Sequence, residues 1–428
     1  MKTVKYEIKL KGLATPDGTI SVKALLDLMG SLTDCAERGE EIFAEMPQAF
    51  TDMELFGEVL QKPDRKDWLQ KVWAQWPAVP PGETLLETIA AKGMSQAELA
   101  ERTGRPKKTI NEIIKGKAAI TPETALQFER VLGMPAGFWN NLERNYQETL
   151  ARINEQKNLH RQISWLKKIP LNALINRGWV RKHADSVQQL QEVLNFFGVA
   201  SPEQWEFRWR GAQVSYRKSP VFQGDPYAVA AWLRMGELAA RDISCKPFDA
   251  STFKNALSGI RQLTVKPPEL FQGEVVRLSA EAGVAVAFVP EIPQIGASGA
   301  TWWMTPAKAV IQLSLRYKTD DQLWFSFFHE AGHILLHGKK EVFIEGDGKS
   351  SKEDEADQFA SDFLIPPKQY RLFIQVGKCS KAAIQTFASE LGIAPGIVVG
   401  RLQHDAKLHH SHCNYLKRRL AWAPTVSI

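Results

Sequence analysis

The chain has 428 residues, a net charge of +6 at pH 7 and four scattered cysteines. At about 150 residues per domain, this length predicts roughly three domains. Its hydrophobic content of 44% and charged content of 24% are ordinary for a soluble globular protein.

Composition also limits where the chain acts. Its apolar runs are far shorter than the ~20 residues that span a bilayer, so we expect no membrane contact and a cytoplasmic protein. The cysteines form no Cys-x-x-Cys pair, so neither a disulfide framework nor a cysteine zinc site is indicated. The mild positive charge does not by itself indicate a nucleic-acid partner.

Residues 1–78 carry few functional signals. Val4, Tyr6, Ile8 and Leu10 alternate with polar residues, which predicts a short strand. Helical patterns follow at residues 21–38 and 53–76. We interpret residues 1–78 as a small N-terminal α+β segment of unknown role, with interaction or dimerisation as the simplest use.

Residues 79–150 show short helical patterns with sharp ends. Ser95 and Glu98 form a capping box that opens one helix, and Gly104 ends it. A further helix is predicted over residues 106–114, and Thr121 caps the one after it. This spacing is typical of a helix-turn-helix, with residues 106–114 as the recognition helix.

The recognition helix lies in a basic stretch. Between residues 105 and 117 there are five cations and one anion, a local charge of +4. Side chains in the first turns of the helix can reach base edges, namely Lys107, Lys108, Thr109 and Asn111. Gln96 and Lys117 are better placed for phosphates. The alternative is a solvated face of a small helical bundle.

These residues resemble the HigA family of antitoxins within the phage-repressor-like class. The resemblance covers about 70 residues and includes Ser95-Gln96-Ala97-Glu98-Leu99-Ala100, Ile110-Asn111-Glu112-Ile113, Gly116-Lys117, and residues 119–126. It implies that this domain binds operator DNA as a homodimer.

Residues 151–267 are predicted to be a helical connector. Residues 151–185 are basic, which fits either an extended DNA contact or a solvated connecting helix. Trp205, Trp209 and Trp232 are expected to pack in a core rather than to form a ligand cage.

A His-x-x-x-His pattern is the strongest chemical signal in the chain. On a helix, His329 and His333 lie on one face and can hold one metal ion together. Glu330 lies beside them, where it can act as a general base on water. The sequence shows no clear electrophilic side chain that would stabilise the tetrahedral intermediate of such a reaction.

The third ligand is expected on a later helix. Ala356, Ala360 and Leu364 belong to a buried stripe that extends backwards to Glu353. Glu355 faces sideways from that stripe, so we predict His329, His333 and Glu353 as zinc ligands. Asp357 is placed to accept the N–H of a ligating histidine and to fix its tautomer.

Other histidines have simpler interpretations. His337 stands at the helix end, where it is expected to cap the last carbonyls. The tail histidines are predicted to lie on a solvated helix; they are His404, His409, His410 and His412.

The sheet pattern places the metal helix in an α+β setting. Residues 284–288 and 310–315 read as two strands separated by the turn-rich residues 290–301. If the strand at residues 309–315 lies at an edge, it could bind an extended substrate through backbone hydrogen bonds.

The metal-binding part resembles the ImmA/IrrE family of metallopeptidases, with gluzincin-like chemistry. The resemblance spans roughly residues 270–405 and rests on residues 329–337, 353–360 and 364–366. It implies that His329, His333 and Glu353 bind zinc, that Glu330 is the catalytic base, and that the substrate is a regulatory protein.

Together these patterns predict a multidomain fold, mostly α with an α+β part. An all-α helix-turn-helix domain (79–150) and a helical connector (151–267) precede a zincin-like peptidase domain (268–428). The predicted function is a HigA-like regulator whose zinc peptidase cleaves a repressor, a partner toxin or itself. The alternative is a non-catalytic antitoxin or transcription factor whose peptidase-like domain serves sensing or dimerisation.

Overall fold

The computed structural model describes residues 6–8, 42–44, 80–217, 224–339, 341–345, 350–375, 377 and 379–423. The chain divides into two compact units, Met1–Asn158 and Leu159–Ile428. In the first unit, β1 (Tyr6–Ile8) lies within the predicted first strand and pairs in parallel with β2 (Ile42–Ala44). The helices predicted at residues 21–38 and 53–76 lie outside the described residues.

Residues 80–162 form consecutive helices, which are α1 (Pro81–Ala91), α2 (Gln96–Thr103), α3 (Lys107–Ile114), α4 (Pro122–Leu132) and α5 (Ala136–Gln162). Ser95 caps α2 by accepting the Glu98 N–H at 3.1 Å, as the capping box predicts. Gly104 follows α2 with a φ of 66°, a left-handed conformation that glycine adopts without strain.

Close packing explains why these helices hold together. A Cβ atom on Gly82 would lie 2.2 Å from the carbonyl oxygen of Ile113, so the backbones of α1 and α3 are in direct contact. Leu99, Ile110 and Trp139 are completely buried in the shared core. The basic turns of α3 are therefore carried by a rigid helical frame.

The second unit begins with helices and contains most of the predicted connector. They are a 3-10 helix (Ile163–Lys168), α6 (Leu171–Asn176), α7 (Ser186–Phe197), α8 (Pro202–Arg217), α9 (Pro226–Asp242), α10 (Ala250–Gln262) with a 3-10 helix (Leu263–Val265), and α11 (Pro268–Glu281). Trp205 and Trp232 are fully buried and Trp209 is nearly so, which confirms their predicted packing role. Trp205 stacks on Tyr227 with ring centroids 4.6 Å apart.

A four-stranded mixed sheet follows, made of β3 (Val284–Phe288), β4 (Gly299–Thr305), β5 (Lys308–Leu313) and β6 (Phe343–Ile344). The strand order is β3-β5-β4-β6. β5 is parallel to β3 and antiparallel to β4, and β4 is antiparallel to β6.

This sheet corrects two sequence interpretations. Residues 299–301 were assigned to a turn-rich segment, but they begin β4. The strand near residues 309–315 was expected at an edge, and this was wrong, because β5 is paired on both sides. With its backbone groups used by β3 and β4, β5 has no free edge for a substrate.

Helices of the second half follow the sheet in the chain and carry the site. They are α12 (Asp320–Leu336), α13 (Ser351–Leu364), α14 (Pro367–Gln375), α15 (Lys381–Leu391), α16 (Pro395–His404) and a 3-10 helix (Asn414–Leu416). α12 and α13 pack closely at Gly332, where a Cβ atom would lie 3.3 Å from the Cα of Ala356. The predicted fold class, mostly α with an α+β part, is confirmed.

The start of α12 is held by a distant part of the chain. Arg418 accepts the Asp320 N–H at 2.9 Å through its carbonyl, and its own N–H donates to Asp320 Oδ1 at 2.9 Å. Lys417 Nζ lies 2.7 Å from Asp321 Oδ2. The tail thus fixes the first turn of the helix that carries both histidines.

Over the described residues, none of the helices is by itself long and apolar enough to cross a membrane. Lys381–Leu391 and Pro395–His404 reach that length and hydrophobicity only as a pair, across a bend of 114°.

Candidate metal centre

The two histidines of the motif lie on a buried face of α12. His329 is 2% exposed and His333 is 1% exposed. Their Nε2 atoms are 3.0 Å apart, as expected for side chains one turn apart on a helix. Apolar neighbours such as Phe327 and Phe328 anchor the helix in the core, so the imidazoles are held in place.

Glu353 joins the histidines from the first turn of α13. Ser350 caps this helix by accepting the Glu353 N–H at 3.3 Å. Glu353 Oε2 lies 3.0 Å from His329 Nε2 and 3.5 Å from His333 Nε2. Within the described part of the chain, these three residues are the set whose ligand atoms lie close enough to share one metal ion.

The donor chemistry of this cluster fits a cation. His329 Nδ1 lies 2.8 Å from Asp357 Oδ1, and a carboxylate only accepts, so the imidazole donates from Nδ1. In the neutral ring, Nε2 then carries a lone pair and is an acceptor. It faces the Glu353 oxygen, which is also an acceptor. Two acceptors at 3.0 Å need a positive species between them, either a proton or a metal ion. Two nitrogens and one carboxylate form a donor set that zinc accepts.

The pKa directions agree with this electrostatic picture. Burial lowers the pKa of His329, but its hydrogen bonds to Asp357 and Glu353 outweigh burial and raise it well above its ordinary value. Burial would raise the pKa of Glu353, but its contacts with His329 and His333 hold it at about 2. Burial lowers the pKa of His333. The carboxylate therefore stays ionised beside the two rings.

Glu330 lies beside the cluster and packs against β4. It is 0% exposed, and neither carboxylate oxygen has a hydrogen-bond partner among the described residues. A Cβ atom on Gly299 would lie 2.5 Å from Glu330 Oε1, so only glycine leaves room for this side chain. Burial raises the pKa of Glu330 well above its ordinary value.

Three residues in this region were missed by sequence reasoning. Glu345 follows β6 and lines the same cleft as His329, and burial raises its pKa. Phe343 stacks on the His333 ring with centroids 4.1 Å apart and planes 11° apart. Arg316 also lines the cleft, and its guanidinium lies 5.1 Å from the centre of the Tyr317 ring.

No local sequence signal identifies Phe343 and Glu345, because β6 reaches the site only through its pairing with β4. Glu345 donates its N–H to the Gly299 carbonyl at 3.0 Å and accepts the Ser298 N–H at 3.3 Å. A short pairing of this kind leaves no periodic pattern.

A cleft of about 370 Å³ opens beside the cluster. Its walls combine His329, Glu353 and Asp357 with the apolar side chains of Phe325 and Ile397. Its volume would accommodate an amino-acid side chain.

The predictions for His337 and the tail histidines are confirmed only in part. The side chain of His337 is 4% exposed, and its Nδ1 lies 2.9 Å from His333 Nδ1, so the ring contacts the site. His404 ends α16, whereas the other tail histidines lie in turns rather than on a solvated helix; they are His409, His410 and His412. All four tail histidines are exposed.

The predicted DNA contacts lie on or beside α2 and α3. Lys107, Lys108 and Lys117 are exposed, whereas Thr109 and Asn111 are half-buried. Gln96 is the first residue of α2 and is also half-buried. Lys108 Nζ lies 3.8 Å from Glu112 Oε1, a weak surface pair that leaves the ammonium available.

The fold and the cluster define a chain with a helix-turn-helix part and a metallopeptidase-like part. The helix-turn-helix family matches residues 85–139, and the IrrE N-terminal-like domain matches residues 282–403. Virulence-associated protein I of Dichelobacter nodosus is 34% identical over 83 residues, which are 19% of this chain and 77% of that protein. The chain therefore belongs to the helix-turn-helix family and carries an IrrE N-terminal-like domain.

Similar solved structures cover a small share of the chain. An addiction module antidote protein of a HigA family from Coxiella burnetii is 29% identical, with a TM-score of 0.19 over 20% of this chain and 95% of that chain. The Pseudomonas aeruginosa antitoxin HigA with higBA promoter is 27% identical, with a TM-score of 0.19 over 20% of this chain and 94% of that chain.

Proposed function

We propose that this chain is an antitoxin-type transcriptional regulator that binds operator DNA and carries a zinc-dependent peptidase. One observation supports the peptidase above all others. Three acceptor side chains, the buried His329 and His333 and the half-buried Glu353, converge on one point, and Glu330 lies beside them with both oxygens unpartnered. A buried carboxyl without a partner is unfavourable for folding, so a functional use explains its presence.

In this proposal His329, His333 and Glu353 hold zinc. When bound, zinc supplies a Lewis acid that makes water acidic near neutral pH and polarises a peptide carbonyl. Asp357 fixes the His329 tautomer by accepting its Nδ1 proton, so that Nε2 keeps its lone pair for the metal.

Glu330 moves the proton. Its carboxylate takes a proton from water and later returns it to the amine of the cleaved peptide bond. Burial raises the pKa of Glu330, which makes its carboxylate a stronger acceptor for the proton of water than an exposed glutamate. The absence of a side chain on Gly299 gives the carboxylate room beside β4.

The DNA-binding half of the proposal is supported by the helix-turn-helix family match and by the charges on α3. Lys107 and Lys108 project from the first turn of this helix, and Thr109 and Asn111 are the polar residues beside them. A recognition helix reads base edges with the residues of its first turns. We expect operator binding as a homodimer and a repressor, a partner toxin or the chain itself as the peptidase substrate.

A second candidate function has an observation in its favour. Glu330 is fully buried, and the cleft that His329 and Glu353 line does not include it. In this alternative the domain binds a metal ion as a sensing or dimerisation module, and no peptide bond is cleaved.

A comparison of the wild-type chain with Glu330→Gln tests the proposal. Both proteins are expected to bind one zinc ion, because Glu330 is not among the converging ligands. Cleavage of a quenched fluorescent peptide library is expected to fall about 10²- to 10⁴-fold in the variant, the usual contribution of a general base. Zinc content by mass spectrometry and cleavage rate by fluorescence are the two measurements.

The outcomes separate the two candidates. Zinc binding together with Glu330-dependent cleavage supports the peptidase. Zinc binding without cleavage in either protein favours the sensing module. A wild-type chain that binds no zinc rules out both.

A further inference from the structure

We propose that His337 is the positioning residue of His333 and thereby sets the metal affinity of the centre. This inference rests on the proposed metal centre. It concerns a residue just beyond the motif, at the point where α12 ends, and it assigns a role to the contact between the two rings.

His337 is held against His333 by three contacts. Its backbone N–H donates to the His333 carbonyl at 3.1 Å, and the two Nδ1 atoms are 2.9 Å apart. Phe343 stacks on His333 and also lies 5.2 Å from the centre of the His337 ring. The side chain of His337 is 4% exposed, so water does not replace these contacts.

The positions of the protons on the two rings decide which ring donates the hydrogen bond. At 2.9 Å between the two Nδ1 atoms, one ring must donate and the other accept. If His333 donates from Nδ1, its Nε2 keeps the lone pair that faces Glu353. If His333 instead accepts, its neutral ring carries the proton on Nε2 and cannot bind a metal ion there.

Glu355 favours the first arrangement. Its Oε2 lies 3.5 Å from His337 Nε2, and a carboxylate attracts the N–H of an imidazole rather than its lone pair. The two groups do not form a hydrogen bond, so the influence of Glu355 on the ring is electrostatic. A proton on His337 Nε2 leaves Nδ1 as the acceptor for His333. Glu355, His337 and His333 thus form an ordered series that ends in a metal-binding lone pair.

The two zinc-facing histidines are therefore oriented by different groups. His329 donates to the carboxylate of Asp357, whereas His333 donates to a neutral imidazole. Groups that orient a metal-binding histidine usually account for about 10- to 100-fold in metal affinity. The sequence spacing of His329, His333 and His337 reflects this, because each ring follows the previous one by one helical turn.

The test measures zinc affinity of the full-length chain by competition with a chromophoric chelator. His337→Ala and His337→Phe are both expected to weaken zinc binding about 10- to 100-fold. The phenylalanine keeps the ring against Phe343 but has no acceptor, so it separates packing from hydrogen bonding. His337→Asn is expected to recover most of the affinity, because its Oδ1 stands near the position of Nδ1 and accepts a proton.

Two further measurements guard against a purely structural effect. Thermal unfolding of the metal-free proteins is expected to be the same for wild type, His337→Phe and His337→Asn within a few degrees. The visible spectrum of the cobalt-substituted protein is expected to change in His337→Phe and not in His337→Asn, because it reports the ligand field of the metal.

The possible failures are distinguishable. A wild-type chain that binds no zinc overturns the proposed function. A wild-type chain that binds zinc, with unchanged affinity in His337→Ala and His337→Phe, overturns the role of His337 alone. Loss of affinity in His337→Asn as large as that in His337→Phe overturns its role as the acceptor.

Discussion

The helix-turn-helix region and the metal centre differ in the sequence distance over which their decisive contacts form. In the helix-turn-helix, Ser95 caps a helix by binding Glu98 three residues later. In the metal centre, His329 meets Glu353 across 24 residues, and Asp320 is bound by Arg418 across 98 residues. Local contacts make the first region readable from its sequence, whereas the second depends on the whole unit folding.

The largest expected effect comes from removing the third acceptor of the metal centre, which joins the two histidines from a separate helix. Glu353→Ala removes a carboxylate whose oxygen lies 3.0 Å from His329 Nε2, and we expect zinc affinity to fall more than about 100-fold. Glu355→Ala is the matched variant on the same helix, and we expect at most a tenfold loss. Chelator competition measures both.

The opposite ranking would show that the wrong carboxylate was chosen. Both variants keep Ser350 as the N-cap, so a difference between them does not reflect loss of the helix. DNA binding by both variants should match the wild type, because residues 85–139 are unchanged.

The next largest effect concerns the local region. Replacing Lys108 and Asn111 together by alanine removes two side chains from the first turns of α3, and base contacts contribute about 1–3 kcal/mol each. We therefore expect at least a 30-fold or so loss of affinity for DNA from the chain's own promoter. Fluorescence anisotropy with labelled DNA measures this loss.

Arg130→Ala is the control for general charge, since Arg130 is an exposed cation on α4. If the control and the double variant bind DNA equally well, α3 is not the recognition helix. Zinc content should be unchanged in both Arg130→Ala and the double variant of Lys108 and Asn111.

The comparison explains which features were predictable. The cap at Ser95, the turn at Gly104 and the bounds of α3 follow from residue types within a few positions of each other. The buried helix face that ends at Leu364 predicted Glu353 as the third ligand when extended backwards by one turn. In the structure, Glu353 lies against the histidines. Each of these steps uses the geometry of a single helix.

Features that depend on pairing between strands were not predictable. The edge position expected for residues 309–315 was wrong, because β4 and β3 cover both sides of β5. Glu345 was missed because backbone bonds to Ser298 and Gly299, which are distant in the sequence, bring it to the cleft. One local signal was overlooked: Ser350 and Glu353 have the same spacing as Ser95 and Glu98, and they mark the start of α13.

A third prediction tests the long-range bond at the start of α12. Burial raises the pKa of Asp320 from 3.8 to about 6. The folded chain therefore holds this proton more tightly than the unfolded chain, and this carboxyl lowers stability as pH rises from about 4 to about 6. Asp320→Asn removes the charge but keeps an oxygen for the N–H of Arg418.

We expect Asp320→Asn to raise the free energy of unfolding by about 1–3 kcal/mol at pH 7.5, from a shift of roughly two pKa units. The difference from wild type should vanish near pH 4, where both side chains are neutral. Urea unfolding at several pH values measures it. A constant difference across this range would mean that Asp320 does not titrate as described.

The smallest effect compares the same substitution in both regions. Ser95→Ala and Ser350→Ala each remove a helix N-cap, which usually costs about 1 kcal/mol. In the helix-turn-helix this loss should leave zinc binding unchanged, because Ser95 caps α2 and not the helix that carries Glu353. At α13 it should also weaken zinc binding about fivefold, since fraying of the first turn displaces Glu353.

Thermal unfolding and chelator competition on the two single variants decide this point. Equal zinc affinity in both would mean that Glu353 is held by the histidines rather than by its helix. A zinc loss confined to Ser350→Ala would instead show that a local cap transmits its free energy to a centre assembled over long sequence distances. The same serine N-cap would then stabilise only its own helix in the helix-turn-helix, whereas at α13 it would also support metal binding.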